Sequence, residues 1–127
     1  MVVKQNVLNK KINGSMTKDE FIMKVFFTYA WNKRPTKCEC GCGRKLPKEI
    51  NSACMDHILE KSKYPAAKYS ISNIAFYTED CHANKTNGHP NAMQVSKAMQ
   101  ANENYDKLCK ESSKFEETVK NKIWQKQ

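Results

Sequence analysis

Between Cys54 and Lys85 the chain carries, in order, Asp56-His57, Asn73, His82 and Lys85. Residues of these types could perform hydrolysis at one metal ion. A carboxylate and an imidazole, Asp56 and His82, can hold a hard divalent ion. They leave most of its coordination positions open to water and substrate. The second imidazole, His57, has an ordinary pKa of about 6.5, so at neutral pH it can take a proton from water. Taken singly, either histidine could be an ordinary surface or core residue. The adjacency of Asp56 and His57 and the order of the four landmarks favour a common site. His89 follows Gly88 and matches no position in that order, so it is expected in an exposed loop.

A second group of residues suits a structural metal. Cys38-Glu39-Cys40-Gly41-Cys42-Gly43 packs three cysteines and two glycines into six residues. Glycine lets the backbone turn around a thiolate, and closely packed thiols are vulnerable to oxidation unless a metal holds them. A zinc knuckle is therefore expected, with four ligands drawn from Cys38, Cys40, Cys42, Cys54 and Cys81. The choice between Cys38 and Cys40 stays open. A Cys-x-x-Cys ending at Cys81 would place its first member at position 78, where this chain has Thr78, and Cys54 could stand in for it. Cys109 lies apart and is read as a small buried apolar residue in a helix.

These residues must be positioned by local elements. Thr17-Lys18-Asp19-Glu20 has the spacing of a capping box, which predicts an N-terminal helix over residues 17–34 ending near Asn32 before Pro35. Its stripe Phe21, Ile22, Val25, Phe26 and Tyr29 should face the core, with Trp31 buried at its end. Residues 52–58 read as a strand ending in Asp-His, residues 59–72 as a loop, and residues 73–78 as a second strand. A helix should start near Glu79 or Asp80, carry His82 and Lys85 on one face, and stop at Asn87-Gly88. Residues 92–127 form a helical extension of one or two amphipathic helices, with a break at 111–113. Their apolar positions run to Ile123 and Trp124. Residues 1–16 read as a basic flexible arm or a short strand.

At 127 residues the chain is expected to be a single domain. Its 22 Lys+Arg against 13 Asp+Glu give a net charge of +9, which points to a polyanion and first to nucleic acid. Arg44, Lys45, Lys61, Lys63 and Lys68 are the candidate phosphate contacts. No apolar run approaches the roughly 20 residues that span a bilayer, so no membrane partner is expected. The start of the chain lacks a signal peptide's apolar segment, so an intracellular place is expected. Only 39% of residues are hydrophobic, so a structural zinc would add usefully to a thin core.

Asp56-His57-Ile58, Asn73-Ile74 and Cys81-His82-x-x-Lys85 resemble the HNH endonuclease family over about residues 38–88, and within it small phage-type nucleases. The resemblance implies an α+β fold: a ββα-metal core with a zinc knuckle, flanked by N- and C-terminal helices. It implies that Asp56 and His82 ligate one Mg²⁺ or Mn²⁺ and that His57 is the general base. Asn73 would bridge the loop between the strands and hold His57 through backbone or ring contacts, Lys85 would lie near the scissile phosphate, and the zinc cysteines would be structural. The expected function is metal-dependent hydrolysis of DNA, as nicks or cuts in duplex or branched substrates, in the cytoplasm of a bacterial or phage-infected cell. A double-strand break would call for a homodimer or two events. The alternative is a non-catalytic zinc-containing module that binds DNA or protein.

Overall fold

A computed structural model of the chain describes residues 16–122. The basic arm read at residues 1–16 falls outside these, apart from Met16, which packs against the core. Ile123 and Trp124 lie outside as well.

Helix α1, Lys18–Trp31, starts at the capping box. The Glu20 N–H donates to Thr17 Oγ1 at 3.1 Å, and the Thr17 N–H donates to Glu20 Oε1 at 3.3 Å. Two otherwise orphaned donors are thereby satisfied, and Asp19 and Glu20 sit at the positive end of the helix dipole. Phe21, Ile22, Val25, Phe26, Ala30 and Trp31 form its buried face. Tyr29, expected on that face, is half-buried. The helix ends ahead of Pro35. Arg34 stacks on Trp31 at 4.7 Å, and its guanidinium donates to the carbonyls of Trp31, Pro47 and Lys48. This ties the helix end to the segment after the knuckle.

The hairpin is short. Asn51 accepts the Ala53 N–H and starts a 3₁₀ turn over Ser52–Cys54, so strand β1 covers only Met55–His57. Strand β2, Ile74–Phe76, pairs with it antiparallel in the register Met55↔Phe76, Asp56↔Ala75 and His57↔Ile74. Successive residues of a strand face opposite ways. Met55, His57, Ile74 and Phe76 therefore look toward α1. Asp56 and Ala75 look toward helix α2, Glu79–Thr86. The adjacency of Asp56 and His57 thus sends the carboxylate and the imidazole to different helices.

The segment expected as a plain loop over 59–72 is more ordered than that. It contains 3₁₀ turns at Pro65–Ala67 and Ile71–Asn73. The C-terminal break is also displaced. Helix α3 spans Ala92–Glu103 and helix α4 spans Tyr105–Lys122, with Asn104 between them. Glu111, Ser112 and Ser113 lie inside α4, because the first two serve the 69–72 segment. Ser112 Oγ accepts the Tyr69 N–H at 2.9 Å, and the Glu111 carboxylate accepts from the Ser70 hydroxyl at 2.6 Å. It also accepts from the backbone and hydroxyl of Ser72. Polar residues that read as a break are docking contacts.

The main core joins α1 to the hairpin face with Met55, Ile74 and Phe76, closed by Tyr69 and Val119. A second cluster packs Ala75, Tyr77 and Cys81 against Cys38 and Cys40. A third, with Leu59, Ala67, Ala101 and Leu108, seats the C-terminal helices. No helix among the described residues is long and apolar enough to cross a membrane.

Candidate active site

Asp56, His57, His82 and Lys85 line one cleft of about 560 Å³. Asp56 is only 6% exposed and is the point on which α2 converges. His82 Nε2 stands 3.3 Å from Asp56 Oδ1, and Lys85 Nζ stands 2.6 Å from Asp56 Oδ2. The spacing of three residues along α2 places both side chains on the face that meets the strand, as expected.

Each imidazole is held by a backbone carbonyl. A carbonyl only accepts, so the ring nitrogen facing it must carry the proton. His82 Nδ1–H donates to the Ala53 carbonyl at 2.7 Å, which turns Nε2 toward Asp56. Hydrogen bonding to that carboxylate raises the His82 pKa despite its partial burial. With that Nε2 proton lost, Oδ1 and Nε2 would form a converging oxygen-and-nitrogen donor pair, with the Ala53 contact fixing the imidazole. That donor set fits a divalent ion.

His57 is arranged the other way round. Its Nε2–H donates to the Lys68 carbonyl at 2.9 Å, which leaves Nδ1 as the unprotonated nitrogen of the neutral ring. Burial lowers its pKa below the ordinary imidazole value, against the opposing pull of that carbonyl, and nearby Lys61 lowers it further. At neutral pH the ring is therefore in its neutral, proton-accepting form.

Asn73 is fully buried, and the hydrogen bonds of its side chain among the described residues run to backbone groups rather than to the imidazole. Its Oδ1 accepts the Leu59 N–H at 2.8 Å, while Nδ2 donates to the carbonyls of Leu59 and Ala67. Its own carbonyl accepts the Ile58 N–H at 2.8 Å. These bonds clamp the segment that follows His57 to the residue that precedes Lys68.

Beside this cleft Cys38, Cys40, Cys42 and Cys81 bring their sulfurs within 4.8 Å of one another. Sulfurs on a tetrahedral zinc with bonds of about 2.3 Å stand about 3.8 Å apart. The separations here include 3.2 Å for Cys38 to Cys40, 3.3 Å for Cys40 to Cys81 and 3.9 Å for Cys42 to Cys81. The donor set fits, and the four clustered cysteines point to a structural zinc. Gly41 and Gly43 take positive φ of 90° and 83°, conformations that let the ribbon fold back around the sulfurs. The Thr78 N–H and the Arg44 guanidinium donate to Cys38 and Cys81 sulfur.

Cys54, one of the five candidate ligands, is outside this group. The knuckle ribbon supplies three sulfurs, so Cys81 needs no partner from the strand. Cys54 is buried in the main core instead, where desolvation raises its pKa. Thr78, at the position of the missing cysteine, has the one buried side-chain polar atom without a partner among the described residues. Cys109 is half-buried, short of the full burial expected.

The candidate phosphate contacts divide. Lys61 lines the cleft. Lys63 and Lys45 are exposed, and Lys45 sits opposite Lys37 across an antiparallel bridge. Arg44 is turned to the knuckle, 3.1 Å from Asp80. Lys68 holds its ammonium 5.2 Å over the Tyr69 ring, and its carbonyl anchors His57. His89 is exposed. Sequence reasoning missed the Ala53 and Lys68 carbonyls and Phe27, which lines the cleft beside His57. The carbonyls have no sequence signal. Phe27 has a faint one: it is an extra aromatic one position past Phe26 of the buried stripe, and so about 100° around the helix from it.

A two-stranded hairpin and a helix that gather a carboxylate and two imidazoles, stapled by a cysteine knuckle, make a mixed α+β ββα-metal core. Residues 38–88 match the HNH endonuclease family, so the chain carries an HNH endonuclease domain there. The family is one of hydrolases acting on phosphodiester bonds, and the domain is that of a nuclease. No curated protein and no solved structure matches the chain.

Proposed function

We propose that this chain is a metal-dependent DNA endonuclease, working as one domain and nicking or cutting duplex or branched DNA. The observation that carries the reading is the 2.9 Å contact of His57 Nε2 with the Lys68 carbonyl: it commits Nε2 as the donor and leaves Nδ1 as the base on a residue that lines the cleft with Asp56 and His82.

His57 Nδ1 takes the proton from the attacking water, and the imidazolium so formed keeps its Nε2–H on Lys68. Asp56 and His82 would hold the divalent ion. Mg²⁺ or Mn²⁺ bound there supplies polarisation of the phosphoryl oxygen and charge stabilisation on the leaving 3′ oxygen. Lys85, beside Asp56, neutralises charge on the phosphate. Asn73 positions His57 through the chain on either side of the intervening loop. Cys38, Cys40, Cys42 and Cys81 hold a structural Zn²⁺ that cross-links the knuckle to α2. Lys61 meets the strand at the cleft, and Lys45 and Lys63 contact backbone phosphates further out. The reduced thiols suit the interior of a cell, bacterial or phage-infected.

The test is incubation with supercoiled plasmid and Mg²⁺ or Mn²⁺, beside His57→Ala and EDTA controls. Open circles that appear only with the intact protein and metal support the reading. Linear product without a nicked intermediate supports it too and adds paired active sites, as in a homodimer. Cleavage by His57→Ala at the wild-type rate would remove His57 as the base. Tight DNA binding with no cleavage of plasmid, four-way junction or flap would leave a binding module.

A further inference from the structure

We propose that Phe27, on α1 and outside the residues matched to the nuclease family, is a positioning residue that holds the His57 imidazole in its reacting orientation. The proposal rests on the reading of His57 as general base.

The hydrogen bond from Nε2 to the Lys68 carbonyl pins one corner of the His57 ring. A single bond of this kind leaves the ring free to rock about that corner and to turn about Cβ–Cγ. A half-turn would put a carbon where Nε2 now stands and would carry Nδ1 away from its place. Two neighbouring rings of α1 oppose that motion. The Phe26 centroid lies 6.4 Å from that of His57 at 31°, and the Phe27 centroid lies 5.9 Å away at 65°, edge to face. Consecutive helical residues point about 100° apart, so the two phenyl groups form a corner and the imidazole sits in it.

The two rings do different work. Phe26 is fully buried and packs on Tyr69 and Phe115, so it belongs to the core. Phe27 is half-buried and lines the cleft with Asp56, His57 and His82. It closes the side of the imidazole that the core does not reach. A phenyl ring suits this place because its flat shape and edge–face preference set an angle as well as a distance. A leucine side chain fills similar volume without setting an angle. On this account a helix outside the metal-binding core completes the active site.

The test compares wild type with Phe27→Leu and Phe27→Tyr, all folded to the same extent by circular dichroism. In steady-state cleavage, Phe27→Leu should lower kcat roughly ten- to a hundredfold with KM unchanged within about twofold, as displacement of a reacting group does. Phe27→Tyr, which keeps the ring, should recover most of the loss. A rise in KM alone would overturn the proposal in favour of a DNA contact, and an unchanged kcat would overturn it outright. The second measurement needs no activity: the nitrogen chemical shifts of the His57 imidazole in the metal-free protein. Wild type should show one Nε2–H tautomer, and Phe27→Leu should show exchange between tautomers or broadened ring signals. Identical spectra would sink the proposal. If wild type cleaves no DNA, the base assignment fails, yet these spectra still decide whether Phe27 holds the ring.

Discussion

Cys54 and Cys81 look alike in the sequence, each flanking a histidine motif, and the fold gives them opposite work. Cys81 opens toward the knuckle from the first turn of α2, within reach of three other sulfurs. Cys54 ends a 3₁₀ turn, and its side chain is buried in the same core cluster as Met55 and Phe76. The two should therefore separate by metal content. Purified Cys81→Ser is expected to lose zinc, because a serine hydroxyl is a poor soft-metal ligand, and to lose the stability that the zinc adds. Cys54→Ala should keep one zinc per chain and cost about 1–2 kcal/mol for the small cavity it leaves. Elemental analysis and denaturant unfolding read both quantities. Loss of zinc from Cys54→Ala would place Cys54 back among the ligands. Asn73 shows the same dependence on context: the family resemblance implied a bridging role, and its burial and its bonds to Leu59 and Ala67 give the partners.

Elements were legible wherever a side-chain signal was local. The capping box set the start of α1, Asn87-Gly88 set the end of α2, and the stretches 52–58 and 73–78, the second for its apolar and aromatic residues, were placed as strands, though longer than they are. What was not legible depends on tertiary partners. Backbone carbonyls such as those of Ala53 and Lys68 are common to every residue, so nothing marks the two that orient imidazoles. The polar run at Glu111 imitates a helix break because a sequence does not show the 69–72 segment it docks. That docking gives α4 a pH-dependent term. Burial alone would raise the Glu111 pKa, but hydrogen bonds from Ser70 and Ser72, helped by Lys107, outweigh it and hold the carboxyl below its ordinary 4.5. A depressed folded pKa means the charged form stabilises the fold. The contribution is complete above about pH 4.5 and is lost as pH falls through the folded value. Wild type should exceed Glu111→Gln by on the order of 1 kcal/mol at pH 7, with the gap closing only in acid. Thermal melts across pH check this. A gap that persists unchanged to the lowest pH would assign the difference to packing.

On the scale of the whole molecule, a net charge of +9 attracts any polyanion and chooses no site on it. Placement near the chemistry must come from cations at the cleft itself. Lys85 is there but is engaged with Asp56, and Arg44 is turned to the knuckle. Lys61 is exposed, lines the cleft and makes no ion pair among the described residues. It is therefore the cation best placed to meet a phosphate next to the one being cut. Each phosphate neutralised adds about 0.9 to the slope of log K against log salt on duplex DNA. Lys61→Ala should reduce that slope by about 1 and weaken binding alike on all sequences. The loss should show at low salt and fade at high salt, where wild type and variant converge. Fluorescence anisotropy on a short duplex over a salt series measures both. An unchanged slope would mean that the strand crosses the cleft without touching Lys61. The exposed Lys37–Lys45 pair on the knuckle ribbon would then be the next place to look for its path.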